Sequence, residues 1–144
     1  MSRLLGAKRF VWNWAMRRKE EAWRIDGTKL TGVDLSREFT ALRQAPRTGW
    51  LASLPREPFN QLLRDFDTAW KNFFAGRAKR PRRKKFGAVM SARFTLGQRR
   101  QQVDPETGVV QLDGIGKVRF RVSEAMAGRT LSVVGRYCPS SQIL

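Results

Sequence analysis

Residues 77–85, "RAKRPRRKK", put seven basic side chains into nine positions around a proline. That many cations cannot share a core, and their mutual repulsion opposes compaction, so the segment is expected to be an extended or mobile connector. It divides the chain of 144 residues into two stretches, each of which must supply its own ordered elements. Apolar residues make up 41% of the sequence, enough for one domain with a core of moderate extent.

Before the connector the apolar spacing is helical. Between residues 5 and 25, Phe10, Val11, Trp14, Ala15, Ala22 and Ile25 recur at intervals of three and four, with charged residues between them. "DGTKLTGVD" then breaks the rhythm. Asp34 is the expected N-cap of a shorter helix with Leu35, Phe39 and Leu42 on its inner face, closed by Pro46 and Gly49. The clearest element follows: Phe59, Leu62, Leu63, Phe66, Ala69, Trp70 and Phe73 keep the rhythm over four turns. Pro55 and Pro58 stand at its start, where a missing amide donor costs little, and Gly76 ends it.

After the connector the alternation is that of strands. "ARFTLG", "GVVQLD" and "KVRFRV" alternate, and "TLSVVG" is rich in β-branched residues. "DPETG" and "DGIG" supply the Pro, Asp and Gly of tight turns, so a meander of antiparallel strands is expected. No internal repeat is present.

Charge narrows the partners. Against 29 Lys and Arg stand 12 Asp and Glu, a balance of +17, and a folded chain tolerates such self-repulsion best when a polyanion neutralises it. Nucleic acid is the expected partner. No apolar run approaches a spanning helix and no signal-peptide pattern opens the chain, so it reads as cytoplasmic and nucleoid-associated, with no membrane and no small-molecule substrate. With no histidine and the single Cys138, neither an internal disulfide nor a Cys/His metal site is expected, and no cofactor is implied.

Catalysis by the chain itself is not expected. Asp65 and Asp67 lie two apart on a helix and point about 200° from each other at ~3.6 residues per turn, so they cannot share a metal and are read as solvated carboxylates. No phosphate-binding glycine loop appears. The aromatics Trp14, Trp23, Trp70, Phe59, Phe66, Phe73 and Phe74 are read mostly as core, whereas Trp12 falls off the stripe and is read as an exposed contact.

The blocks "LGAKRFVWNWAMRRKEEAW", "WLASLP", "NQLLRDFDTAWKNFF", "KRPRRKKFG", "ARFT" and "VQLDGIGKVRFRV" stand in the order and spacing of TnpB-like proteins. These are transposon-encoded, RNA-guided DNA nucleases often called OrfB transposases, and the chain resembles them over about residues 4–135. The resemblance implies an α+β fold. An N-terminal helical recognition lobe of about three helices covers residues 1–76, a basic linker 77–90, and an incomplete antiparallel wedge-like β-barrel 91–144. In the family this region grips guide RNA and the DNA beside the target. The family's RuvC-like nuclease domain, with its metal-holding carboxylates and zinc ribbon, lies outside the matching blocks, and the chain is expected to stop before it. The basic strand that ordinarily precedes "LLGA" is missing, so the barrel is expected to lack its first strand. "CPSSQIL" departs from the family's strand, as either a frameshift near Tyr137 or a natural short end would produce.

For sites, the resemblance implies DNA contacts from helix two, the start of helix three and the strand after the connector, at Ser36, Arg56, Asn60 and Thr95. Gly32 replaces a larger side chain often found there, so the motif read is expected to differ or be lost. The expected phosphate contacts are Arg77, Lys79, Arg80, Arg82, Arg83, Lys84 and Lys85, with Arg93 on "ARFT". Arg80 and Arg83 stand where the family often has aromatics, which favours backbone contact over base stacking. The function implied is a nucleic-acid-binding fragment of a TnpB-like transposase, with helix-turn-helix DNA binding, that holds guide RNA and/or DNA without cutting. A stand-alone repressor of transposition and a non-functional decayed gene product remain open beside it.

Overall fold

Phe59, Leu62, Leu63, Phe66 and Trp70 fall on one face of a helix and are buried there, as their spacing requires. In the computed structural model, which describes residues 2–88, 90–95, 103–112, 114–122 and 132–137, that helix is the third of three. They are α1 (Ser2–Asp26), α2 (Gly32–Gln44) and α3 (Glu57–Phe74), with a 3-10 helix at Gly49–Ser53. Five strands follow: β1 (Met90–Thr95), β2 (Val103–Asp104), β3 (Val109–Leu112), β4 (Gly116–Arg119) and β5 (Ser132–Tyr137). The class is α+β, as expected.

Local chemistry sets the helix ends. Pro58 sits in the first turn of α3, and Gly76 stops it in the left-handed region at φ +75°, with Arg77 N–H bonded back to Asn72 C=O at 2.9 Å. α2 ends at Gln44 because Ala45, extended at ψ 144°, precedes Pro46. The N-cap of α2 is Thr31, not Asp34. The Thr31 hydroxyl accepts from Asp34 N–H while the Asp34 carboxylate accepts from Thr31 N–H at 2.9 Å, a reciprocal capping box. Asp34 therefore caps from three residues inside the helix.

The core is continuous from helices to strands. Val11, Trp14 and Ala15 of α1, Leu35 and Phe39 of α2 and the buried face of α3 meet Ala92, Phe94, Val110 and Leu112. Full burial of each such large side chain contributes about 1.5–3 kcal/mol. Leu4, Leu5, Ala7 and Met16 extend the buried stripe of α1. Its last turn does the opposite: Trp23 and Ile25, placed on the core stripe by spacing, are exposed.

The strands form two sheets. β2, β3 and β4 make the expected antiparallel meander, with the turns at the two predicted places. β1 does not join it; it pairs antiparallel with β5, from Met90 opposite Tyr137 to Thr95 opposite Ser132. Among the described residues there is no closed barrel. "KVRFRV" was expected to be strand throughout, yet β4 ends at Arg119, beyond which Phe120 N–H still reaches Gly108 C=O at 2.7 Å. The β3–β4 turn is seated on the entry to α3. A Cβ at Gly114 would stand 3.0 Å from Pro55 Cδ, and its φ of +73° also favours glycine. The divergence expected after Tyr137 lies outside the described residues, and no described helix is long and apolar enough to cross a membrane.

Candidate nucleic-acid interface

The basic connector is not a free tether. It leaves α3 through Gly76 and runs without regular structure along α1, held there by main-chain hydrogen bonds. Trp12 Nε1 donates to Arg82 C=O at 2.8 Å. Asn13 Nδ2 donates to Lys84 C=O at 2.9 Å, and its Oδ1 accepts from Lys84 N–H at 2.7 Å. Satisfying backbone groups in this way fixes the path while leaving the basic side chains to solvent.

Ion pairs and cation–ring contacts complete the docking. Glu20 of α1 pairs with Arg80 at 3.4 Å and Arg83 at 3.2 Å. Lys84 Nζ lies 4.9 Å from the Trp12 ring centre, and Arg9 stacks over Phe86 at 4.8 Å. Trp12 is thus not the exposed contact that its position off the stripe suggested. It is half-buried, edge-on to Phe66 at 5.1 Å, because one edge faces the core and its N–H faces the connector.

Arg77, Lys79, Arg82 and Lys85 are exposed and make no ion pair among the described residues, whereas Arg80 and Arg83 share Glu20. Arg93 is exposed on β1, between the buried Ala92 and Phe94. Its charge acts on Lys8, which is only 6% exposed and donates to Ser91 C=O, linking α1 to β1. Burial holds the Lys8 pKa below the ordinary lysine value; Asp65 opposes this and Arg93 adds to it.

Ser36, Arg56 and Asn60 do converge. They line one groove of about 430 Å³ between α2 and α3, with Arg37 and Arg64 on its rim and Asp67 at one end. Arg56 is committed inside it: Nη2 donates to Thr40 Oγ1 at 2.8 Å, Nε donates to Asn60 Oδ1 at 3.3 Å, and the guanidinium lies 5.7 Å from the Phe39 ring centre. Thr95 ends β1 opposite Ser132, and its side chain lies outside the described residues.

Asp67 is not merely solvated. It accepts from Gly32 N–H at 3.1 Å and pairs with Lys71 at 2.8 Å, tying the start of α2 to α3. This explains Gly32, since a Cβ there would come within 3.0 Å of Asp67 Cβ. Asp65 is exposed and accepts from Gln61 at 3.1 Å. Among the described residues, no three His, Cys, Asp or Glu converge to hold a metal ion. α1 is tied to α2 by the ion pair of Arg18 with Glu38 at 2.7 Å; that hydrogen bond, then the one Arg18 donates to Glu21, raises the Arg18 pKa above the ordinary guanidinium value.

Sequence reasoning missed Asn13, Glu20, Arg37 and Arg64. The available signal was Trp12, an aromatic on the wrong face of an amphipathic helix, which marks a second packed surface beside the core.

Together these features define an α+β domain that presents cations along a fixed path next to a polar interhelical groove. Residues 1–28 match the OrfB/IS605 helix-turn-helix domain, a segment that comprises α1 and the two residues after it. InsQ of Escherichia coli (strain K12), which bears the name of an RNA-guided DNA endonuclease, is 33% identical over 128 residues, 89% of this chain and 31% of InsQ. A protein of Streptomyces pristinaespiralis, also named for RNA-guided DNA endonuclease activity, is 35% identical over 84 residues, 58% of this chain and 21% of that protein. The chain thus spans about a third of the first relative and a fifth of the second. The resemblance read from the sequence blocks holds: this is an N-terminal region of the TnpB/OrfB type.

Proposed function

We propose that this chain is the nucleic-acid-binding part of a transposon protein, gripping the backbone of guide RNA and of target-adjacent DNA without cutting either. The observation that carries the reading is the docked connector, whose main chain is clasped by Trp12 and Asn13 while its cations face solvent. Holding the cations before binding removes part of the ordering cost that a loose basic tail meets on association. The matched helix-turn-helix segment and the names of the relatives support the same partner.

In this reading Arg77, Lys79, Arg80, Arg82, Arg83, Lys84, Lys85 and Arg93 meet phosphates. Ser36 and Asn60, with Thr95 at the end of β1, reach DNA, and Arg56 holds the groove in shape through its bonds to Thr40 and Asn60.

The test is an anisotropy titration against the structured transcript of a transposon end, an unrelated RNA of equal length and a duplex DNA, across a salt series. Eight phosphate contacts predict log K falling with log salt at a slope of about −6 to −7, at ~0.7–0.9 per contact, with the transposon transcript bound most tightly. Equal weak binding to all three that vanishes with salt contradicts it. Cleavage of any probe in magnesium contradicts the non-catalytic part.

A further inference from the structure

Where the connector leaves α3, the C-terminal turns of α1 and α3 enclose a cleft of about 1000 Å³, at the upper end of ordinary ligand pockets. Its walls combine aromatic rings with cations and one carboxylate, Glu20, which pairs with Arg80 and must yield it to a phosphate. Phe74 is 68% exposed and Trp23 59% exposed, although both were expected in the core on spacing alone. Phe74 belongs to a ring cluster with Phe73, at 5.2 Å, and Trp70, at 5.8 Å, so it is braced from behind while its outer face stays open.

Trp70 forms the floor. It is only 7% exposed, and its ring is engaged by Lys19 at 5.3 Å and Arg80 at 5.6 Å. Its indole N–H has no hydrogen-bond partner among the described residues, which is uncommon for a buried donor. The open stacking faces are therefore those of Phe74 and Trp23. Arg24 and Lys29 line the same cleft, and Lys29 stands 5.9 Å from the Trp23 ring centre.

We infer that this cleft binds an unpaired nucleotide, whose base stacks on Phe74 and Trp23 while its phosphate meets Arg24, Lys29 and Arg80. Braced aromatic faces beside cations are the composition that single-stranded nucleic acid selects, since every base offers a π-face and every linkage a charge. An apolar helix seated there would strip water from three cations without repaying them. Arg80 belongs both to the connector and to the cleft, so a backbone tracking the connector arrives at this pocket. The inference rests on the nucleic-acid reading above and adds to it a site for single strands.

The test compares the full chain with Phe74→Ala, Trp23→Ala and the double variant, each checked by circular dichroism and thermal melting. Probes are a short oligoadenylate RNA, its DNA counterpart and a blunt duplex DNA. Single-strand affinity should fall about five- to a hundredfold, the range alanine substitution gives per stacked base, with duplex affinity unchanged. Loss confined to the RNA or to the DNA probe identifies which strand the cleft takes, and either supports the inference. Single-strand affinity retained by the double variant, or lost equally for duplex, overturns it while leaving the connector's role intact. A wild-type chain that binds none of the probes overturns the nucleic-acid reading and the cleft with it.

Discussion

Asn13 clasps the backbone of Lys84 from both sides, donating to its carbonyl at 2.9 Å and accepting from its amide at 2.7 Å. A residue on α1 thereby fixes a segment that follows α3, using none of that segment's charge. The most basic stretch of the chain is therefore part of the folded surface.

Glu20 neutralises part of the connector's charge. Among the described residues it is the one carboxylate paired with the connector, holding both Arg80 and Arg83. A phosphate must displace it. Glu20→Gln should raise affinity for nucleic acid, since Arg80 and Arg83 then meet phosphate without first leaving a carboxylate. Affinity unchanged across the same salt series would mean that Arg80 and Arg83 do not reach the ligand.

The capping box should matter to stability and to its pH dependence. Thr31→Ala removes one of the paired bonds and should cost about 1 kcal/mol in urea denaturation, with m unchanged. Thr31, chiefly through its amide and then its hydroxyl, holds the Asp34 carboxyl below the usual aspartate pKa. Thr28 lowers Asp26 and Thr107 lowers Asp104, each chiefly through its hydroxyl and then its amide. A carboxyl depressed in the folded state stabilises fully above its unfolded value, near ~3.9, and loses that contribution as pH falls through the folded one. Melting temperature should therefore hold at mildly acidic pH and drop below about pH 4.

Gly32→Ala should destabilise by about 1–3 kcal/mol, because the added Cβ meets Asp67 at 3.0 Å where its carboxylate accepts from Gly32 N–H. The same change in an Asp67→Gly background, which removes the Cβ it meets, should cost distinctly less, and a double-mutant cycle in urea reads the difference. Equal costs in the two backgrounds would mean that the crowding is relieved elsewhere.

What was legible in the sequence was local. The rhythm from Phe59 to Phe73 announced α3 because one helix face needs nothing beyond its own neighbours, and "DPETG" and "DGIG" announced their turns for the same reason. Thr31 and Asp34 are both capping residues, so the choice between them depended on a reciprocal pair that neither reveals alone. β1 found β5 rather than β2 because strand pairing across a distant stretch is set by the whole fold. Trp23 and Phe74 carry helical spacing, but spacing does not say where the neighbouring helix ends.

For the site, the charge of the connector was plain and its docking was not. Ser36, Arg56 and Asn60 were named through a family resemblance, and the fold brings them into one groove. The clasp from Asn13, 71 residues before Lys84, leaves no mark in any local pattern.

Asn13→Ala is the sharpest probe, because it leaves all seven cations in place and removes only the clasp. Its affinity for the transposon-end transcript should be measured beside wild type at moderate salt, with melting curves confirming that the helices remain folded. If the docked path creates the binding surface, affinity should fall about two- to tenfold, the cost of ordering a side chain or two on association at ~0.5–1.5 kcal/mol each. Affinity equal to wild type at every salt concentration would show that charge alone does the binding and that the docking of the connector is irrelevant to it.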